Sequence, residues 1–210
     1  MAGKIKKTLA IGLTGGPGVG KSEVAKILTG YGAEVINADK IGHQLLENNL
    51  NLRRKLINLL GDEIIDKQNK LDRRKIGSTV FSDEGRLMAF NNIIHPLLLK
   101  NLKREMTTAS KMGRRPVIVD AALIFEWGIA NWFDLILVVN AVRDIRLKRI
   151  CRSGLSINQA RQRIAAQMPQ REKIALADYL IENNSSRLAL KKKIEQFISK
   201  IEILWQDISQ

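Results

Sequence analysis

Gly15, Gly20, Lys21 and Ser22 stand at the spacing G-x-x-x-x-G-K-[ST], within the stretch Ala10-Ile-Gly-Leu-Thr-Gly-Gly-Pro-Gly-Val-Gly-Lys-Ser22. Five glycines fall between Gly12 and Gly20. Glycine lets consecutive backbone N–H groups turn toward one anion, and the N-terminus of a following helix adds partial positive charge. A lysine at this spacing reaches β- and γ-phosphates, and the serine hydroxyl ligates Mg²⁺. A turn that merely exposes a lysine has no use for so many glycines, so the chain is expected to bind a nucleoside triphosphate.

Phosphoryl transfer to a hydroxyl also needs a group that orients the acceptor and takes its proton. Asp39, just past the apolar run Ala33 to Asn37, is one candidate, and the same position also suits a helix N-cap. Asp120 ends a second apolar run, Pro116 to Asp120, where an acid holds Mg²⁺ directly or through water; a cap or turn role is equally compatible. Glu126 follows as a weaker candidate acid. The two histidines, His43 and His95, form no cluster with each other or with Cys151, and no Ser/His/Asp set is apparent. The metal implied is Mg²⁺ brought with the nucleotide.

Strand-like runs alternating with helical patterns must position these groups, the mark of an α/β fold with a mostly parallel sheet. Five strands are expected, at about Leu9–Thr14, Ala33–Asn37, Pro116–Asp120, Leu135–Asn140 and Tyr179–Glu182. A helix is expected from Gly20 to about Tyr31, with Gly32 at its C-terminal cap. From Lys40 to about Lys111 the pattern is helical, with breaks at Gly61, Gln68 to Lys70, Gly77, Ser82 to Gly85 and His95-Pro96. Helices are further expected over Arg143–Cys151, Ser156–Met168 and Leu188–Ile208, the last with an apolar stripe suited to covering a sheet. The few aromatics, Phe81, Phe90, Trp127, Trp132 and Phe133 among them, are expected in the core.

The chain has 210 residues, enough for one core with an appended lobe. A single cysteine excludes an internal disulfide and fits a reducing compartment; no apolar run approaches the roughly 20 residues of a membrane span. Lys4, Lys6 and Lys7 before an apolar run resemble a signal peptide, but that run is short and flows into the glycine loop, so a cytoplasmic protein is expected. Net charge is +14. Between Arg143 and Lys173 there are nine Lys/Arg against Asp144 and Glu172, a segment from which one or two cations are expected to touch phosphate while most form a solvated face.

Several blocks together resemble the dephospho-CoA kinases. They are Gly12 to Ser22, Gly32-Ala-Glu-Val-Ile-Asn-Ala-Asp39, Leu71-Asp-Arg-Arg-Lys-Ile-Gly77 with Val80-Phe81, and Ile94-His-Pro96. Asp120-Ala-Ala-Leu-Ile-Phe-Glu126, Arg152-Ser-Gly-Leu-Ser156, Ala166-Gln167 and Ala177-Asp-Tyr-Leu-Ile-Glu-Asn183 continue the series in the family's order. The resemblance implies the three-layer P-loop kinase fold and ATP-dependent phosphorylation of the ribose 3′-hydroxyl of dephospho-CoA. It implies that Asp39 is the general base, with Lys21 and Arg152 completing the catalytic set. It implies an ATP site along Gly15, Gly16, Pro17, Gly18, Val19, Gly20, Lys21, Ser22 and Glu23, and Mg²⁺ on Ser22 and Asp120. Acceptor contacts implied are Thr14, Asp39, Arg73, His95 and Asp120.

The implied organisation is a core of about 1–39, 112–142 and 174–210, a helical acceptor lobe of about 40–111, and a basic lid of about 143–173 that closes over ATP and excludes water. The partners implied are two small molecules, ATP and dephospho-CoA, without nucleic acid or membrane, in a monomer or weak homo-oligomer. The chain departs from the family's usual residues at Pro17, Val19, Asn37 and Ala122, and has Lys148 where an arginine is usual four residues before Arg152. Two other readings remain at this point. A different nucleoside or nucleotide kinase would share the loop, Asp39 and a basic lid; a P-loop switch binding nucleic acid would exploit the +14 charge and show salt-sensitive affinity.

Overall fold

The computed structural model describes residues 8–81, 83–112 and 116–208, without the side chains of Phe81 and of residues 203–208; Lys4, Lys6 and Lys7 lie outside it. Its chain divides into two compact units, one of residues 1–36 and 108–210 and the other of residues 37–107.

The first unit is built on a five-stranded sheet in the order β2-β3-β1-β4-β5, with β1 Ala10–Thr14, β2 Glu34–Asn37, β3 Val117–Asp120, β4 Leu135–Asn140 and β5 Tyr179–Glu182. The pairs β1–β3, β1–β4 and β4–β5 are parallel, with Leu13 opposite Asp120 and Thr14 opposite Val138. The central strands are apolar on consecutive residues because both faces are covered. On one face Ile11, Leu13, Leu137, Val139 and Ile181 pack with Val24 and Leu28 of α1 (Lys21–Gly30) and with Leu190, Ile194 and Phe197 of α9 (Arg187–Ile208). On the other, Gly12 lies so close to the side chains of Ile124, Phe133 and Ile136 that an added Cβ would come within 2.9 Å of each.

Register is set twice by the same device. Asp134, just before β4, accepts from the Ala10 N–H at 2.9 Å and donates its own N–H to the Ala10 carbonyl at 2.8 Å. Asp178, just before β5, accepts from the Ile136 N–H at 2.7 Å and donates to the Ile136 carbonyl at 3.0 Å. Each carboxylate satisfies an N–H at the start of the neighbouring strand that has no strand partner on that side. Three helices lie between β4 and α9: α6 Arg143–Arg152, α7 Ile157–Ala165, opened by a capping box at Ser156 and Gln159, and α8 Gln170–Ala175.

The second unit is helical. It contains α2 Ala38–Asn48, α3 Leu50–Leu60, a 3-10 turn at Asp62–Ile64, α4 Arg73–Phe81 and most of α5 Glu84–Met112. Asn37 and Asn49 cap α2 and α3 through their side-chain oxygens, and Gly61 ends α3 with φ of 89°. Two expected helix breaks do not occur. Gly77 lies inside α4, held between buried Ile76 and Val80 with open space where its Cβ would be. Pro96 lies inside the 29-residue α5, where buried Ile94, Leu98 and Leu102 keep the chain helical although Pro96 has no N–H to donate. The breaks at Gly61, at Gln68–Lys70 and near Gly85 are present. Helix α8, by contrast, was not expected, and α7 ends three residues before Met168.

Candidate active site

The loop Gly15–Gly20 joins the end of β1 to the start of α1. Gly18 and Gly20 have φ of 77° and 90°, the left-handed region in which a side chain is strained. A Cβ on Gly18 would also stand 2.6 Å from the Arg146 carbonyl oxygen and 2.9 Å from its Cα.

These turns sort the loop's polar groups into two sides. On the carbonyl side, Arg146 Nε donates to the Pro17 oxygen at 2.9 Å, Arg149 Nη1 to the Val19 oxygen at 3.0 Å and the Gly18 oxygen at 3.4 Å, and Asn183 Nδ2 to the Val19 oxygen at 2.8 Å. The Gly20 oxygen accepts from the Glu23 and Val24 N–H groups in the first turn of α1. The Gly16 N–H donates to Gln170 Oε1 at 2.9 Å, while Gln170 Nε2 donates to the Val139 carbonyl at 3.0 Å. On the other side, the N–H groups of Gly18, Gly20, Lys21 and Ser22 have no acceptor among the described residues. A concave set of unsatisfied N–H groups at a helix N-terminus is an anion receptor.

Lys21 completes it. Its ammonium pairs with Asp120, which is only 2 % exposed at the end of β3. Behind that pair lies a second cation: Lys173 of α8 has no exposed surface, bonds Glu126 Oε1 at 2.8 Å, and donates to the Ala122 carbonyl at 2.6 Å. The same carbonyl accepts from the Thr14 hydroxyl at 3.1 Å, tying the end of β1 to the segment after β3. Burial pulls the Lys173 ammonium below the ordinary lysine range; Glu126 opposes that shift, and the charges of Lys21 and Arg146 add to it. Burial likewise lowers Arg146 and Arg149, with Arg143 and Arg152 as the respective secondary causes.

The residues read from the sequence therefore fall into two groups. Within the first unit, Gly15 to Ser22, Asp120 and Thr14 converge on one place, while Glu23 pairs with Arg187 at 2.5 Å. Arg152 ends α6 exposed to solvent. Asp39, Arg73 and His95 belong to the helical unit. Asn37, not Asp39, caps α2; Asp39 is exposed, and no described residue bonds its carboxylate, which removes the cap reading. Arg73 is exposed at the start of α4, and His95 is half-buried on α5, where burial lowers its pKa. The helical unit also holds a cleft of about 620 Å³ whose lining includes Gln44, Asn48, Asn49, Asn51, Asn101 and Arg104.

Sequence reasoning counted Arg146, Arg149 and Lys173 among nine basic residues without singling them out for these contacts, and it missed Gln170. Six of the nine cations between Arg143 and Lys173 are indeed exposed, and the three that are not carry the contacts to the loop and the core. The signal present was the spacing of Arg143, Arg146, Arg149 and Arg152 by threes, which puts them near one another along a helix. Nothing local marked Gln170 or Lys173.

Ser22 offers an exposed hydroxyl and Asp120 a carboxylate, hard oxygen donors of the kind Mg²⁺ takes. Among the described residues no cluster of three His, Cys, Asp or Glu could hold a metal on protein ligands alone, and no helix is long and apolar enough to cross a membrane.

A family model described as dephospho-CoA kinase matches residues 9–189. The chain is 35% identical over 188 residues to a dephospho-CoA kinase of Geobacillus kaustophilus, covering 89% of this chain and 94% of the relative. It is 35% identical over 201 residues to one of Carboxydothermus hydrogenoformans, covering 95% and 97%. A crystal structure from Thermus thermophilus matches with a TM-score of 0.78 at 31% identity, over 93% of this chain and 98% of that one. A dephospho-CoA kinase of Campylobacter jejuni matches with a TM-score of 0.71 at 27% identity, over 91% and 96%.

Proposed function

This chain belongs to the dephospho-CoA kinase family, ATP-dependent enzymes that phosphorylate the ribose 3′-hydroxyl of dephospho-CoA to give coenzyme A, and we propose how that work is divided among its residues. The observation that carries the proposal is the sorting of the phosphate loop, with carbonyls bonded on one side and the N–H groups of Gly18, Gly20, Lys21 and Ser22 left for a polyphosphate on the other.

The loop N–H groups and Lys21 hold the β- and γ-phosphates and stabilise the charge that develops on the transferred phosphoryl group. A phosphate that takes the Lys21 ammonium leaves the Asp120 carboxylate to a cation, and Ser22 and Asp120 are the residues that would hold Mg²⁺. That ion would neutralise charge on the phosphate oxygens. Asp39 accepts the proton of the 3′-hydroxyl as the hydroxyl oxygen bonds to the γ-phosphorus and ADP leaves. Its freedom from capping α2 supports this role. Arg73 and His95 contact the acceptor within the helical unit; neither lines that unit's cleft, whose amide side chains beside Ile41, Leu45 and Leu50 suit the amide-bearing arm of dephospho-CoA. The segment 143–173 closes over ATP, and Arg152 is the exposed lid residue to which the family resemblance points. A cytoplasmic location, argued from the single cysteine, belongs to the same proposal.

The test is ADP release by the purified protein with ATP and Mg²⁺, with dephospho-CoA and with a panel of nucleosides, nucleotides and RNA. A rate that rises only with dephospho-CoA is the expected result. A rate driven by another acceptor, or by RNA, would replace the proposal with that reading.

A further inference from the structure

Arg146 is the charged group the mechanism above leaves unused. It is 6 % exposed on α6, yet among the described residues no carboxylate pairs with it. Its one hydrogen bond runs from Nε to the Pro17 carbonyl at 2.9 Å, leaving the Nη donors without a protein acceptor. Those donors lie against the loop: a Cβ on Gly16 would stand 2.6 Å from Nη2 and 2.9 Å from Gln170 Oε1. The charges that act on it or feel it are also positive, Arg143 on the same helix and Lys173 on α8.

Taking a guanidinium out of water without a counter-ion is costly, and placing it among other cations adds to the cost. Holding the loop uses only its Nε, on the Pro17 carbonyl; Arg149 and Asn183 donate to the Gly18 and Val19 carbonyls and Gln170 accepts from the Gly16 N–H, so none of these contacts draws on the Arg146 Nη donors. An anion arriving at the loop would repay both costs at once, through the bidentate geometry that arginine offers to phosphate.

We infer that Arg146 contacts the terminal phosphates of the bound nucleotide through the Nη donors it holds beside Gly16 of the phosphate loop. The exposed Arg152 then serves outside that contact. This deepens the reading above and rests on it only in taking a polyphosphate as the loop's ligand. Gly16 and Gly18 are glycines in part because Arg146 passes over both of them.

The test compares Arg146→Gln with Arg146→Lys and wild type in calorimetric titrations with AMP, ADP, ATP and inorganic tripolyphosphate, beside melting of the nucleotide-free protein. Glutamine keeps a donor for the Pro17 carbonyl and removes the charge; lysine keeps the charge and loses the fork. The expected result is a loss in Arg146→Gln that grows along the series, small for AMP and about five- to thirtyfold for ATP and tripolyphosphate. Arg146→Lys should fall between it and wild type. Unchanged tripolyphosphate affinity, or an equal loss for AMP and ATP together with a lower melting temperature, would overturn the inference and make Arg146 a staple of the loop. If Arg146→Gln does not fold, the comparison rests on Arg146→Lys, where wild-type tripolyphosphate affinity and a lowered melting temperature would again overturn it. Wild-type protein that binds tripolyphosphate but transfers nothing to dephospho-CoA would fail the acceptor assignment and leave this inference standing.

Discussion

Substituting Gly18 by alanine puts the loop's construction under direct strain. The residue has φ of 77°, and leaving glycine there costs about 1 kcal/mol for the left-handed backbone alone. The new Cβ would be 2.6 Å from the Arg146 carbonyl oxygen, 0.8 Å inside the 3.4 Å at which ordinary contact begins (3.4 − 2.6). The neighbour is helix backbone and cannot swing aside as a side chain does, so loop or α6 must move. Overpacking of that kind costs about 1–3 kcal/mol. The sum centres near 3 kcal/mol, and in a domain of this size each kcal/mol lowers the melting temperature by about 2–4 °C, so a fall of about 6–12 °C is expected.

A loop displaced by a large part of that 0.8 Å also carries its N–H groups beyond the narrow distance range of charge-assisted bonds to phosphate. ATP affinity should drop by about 10- to 100-fold, the worth of one or two such bonds. Gly42→Ala is the matched control: Gly42 is interior to α2, with open space where its Cβ would be, so alanine should stabilise by about 0.5–1 kcal/mol. Differential scanning fluorimetry and calorimetric ATP titration read both effects. Gly18→Ala melting within 2 °C of wild type and binding ATP within about twofold would refute the geometry on which the argument stands.

Lys21→Met removes a phosphate contact and one partner of the buried Asp120, so ATP titration should show weakened binding, single-turnover rates should fall, and the nucleotide-free protein should melt lower. Asp39→Asn should leave ATP binding near wild type while slowing transfer by about 10²–10⁴, seen as a fall in kcat rather than a rise in KM for ATP. Glu126→Gln strands the fully buried Lys173 ammonium and should cost about 3 kcal/mol in urea unfolding, the low end for a broken buried pair because Glu126 keeps some exposure. With that ammonium held below its unfolded value of 10.5, the unfolded chain binds the extra proton, so the variant should regain stability as the pH is raised toward 10.5. For His95, burial depresses the folded value below 6.5, so the unfolded chain is protonated first and stability should fall as the pH drops below 6.5; His95→Gln, melted without substrates, should show a shallower loss.

The sheet was legible because its strands are short apolar runs, the three central ones buried on both faces, ending at Asp120 or opening after Asp134 and Asp178, residues whose chemistry marks a boundary. The phosphate loop was legible because a left-handed turn beside helix backbone accepts only glycine, which leaves a trace in the sequence. The helical unit was read as helical, but Gly77 and Pro96 misled: local preference argued for breaks, and the buried neighbours on either side outweighed it. The carbonyl-side contacts were the least legible. Arg146, Arg149 and Lys173 share their residue types with the exposed cations around them, and what distinguishes them is burial against partners far away in the chain, the phosphate loop for Arg146 and Arg149 and the segment Ala122 to Glu126 for Lys173. Gln170 carries even less of a signal, since its side chain acts on Gly16 and Val139 and its own helix is six residues long.

The account turns on transfer to one hydroxyl. Purified protein incubated with ATP, Mg²⁺ and dephospho-CoA should yield an acceptor heavier by one phosphoryl group, and the 3′-deoxy analogue of dephospho-CoA should gain none. Phosphorylation of the 3′-deoxy analogue, or no mass gain on dephospho-CoA in protein that demonstrably binds ATP, would contradict it.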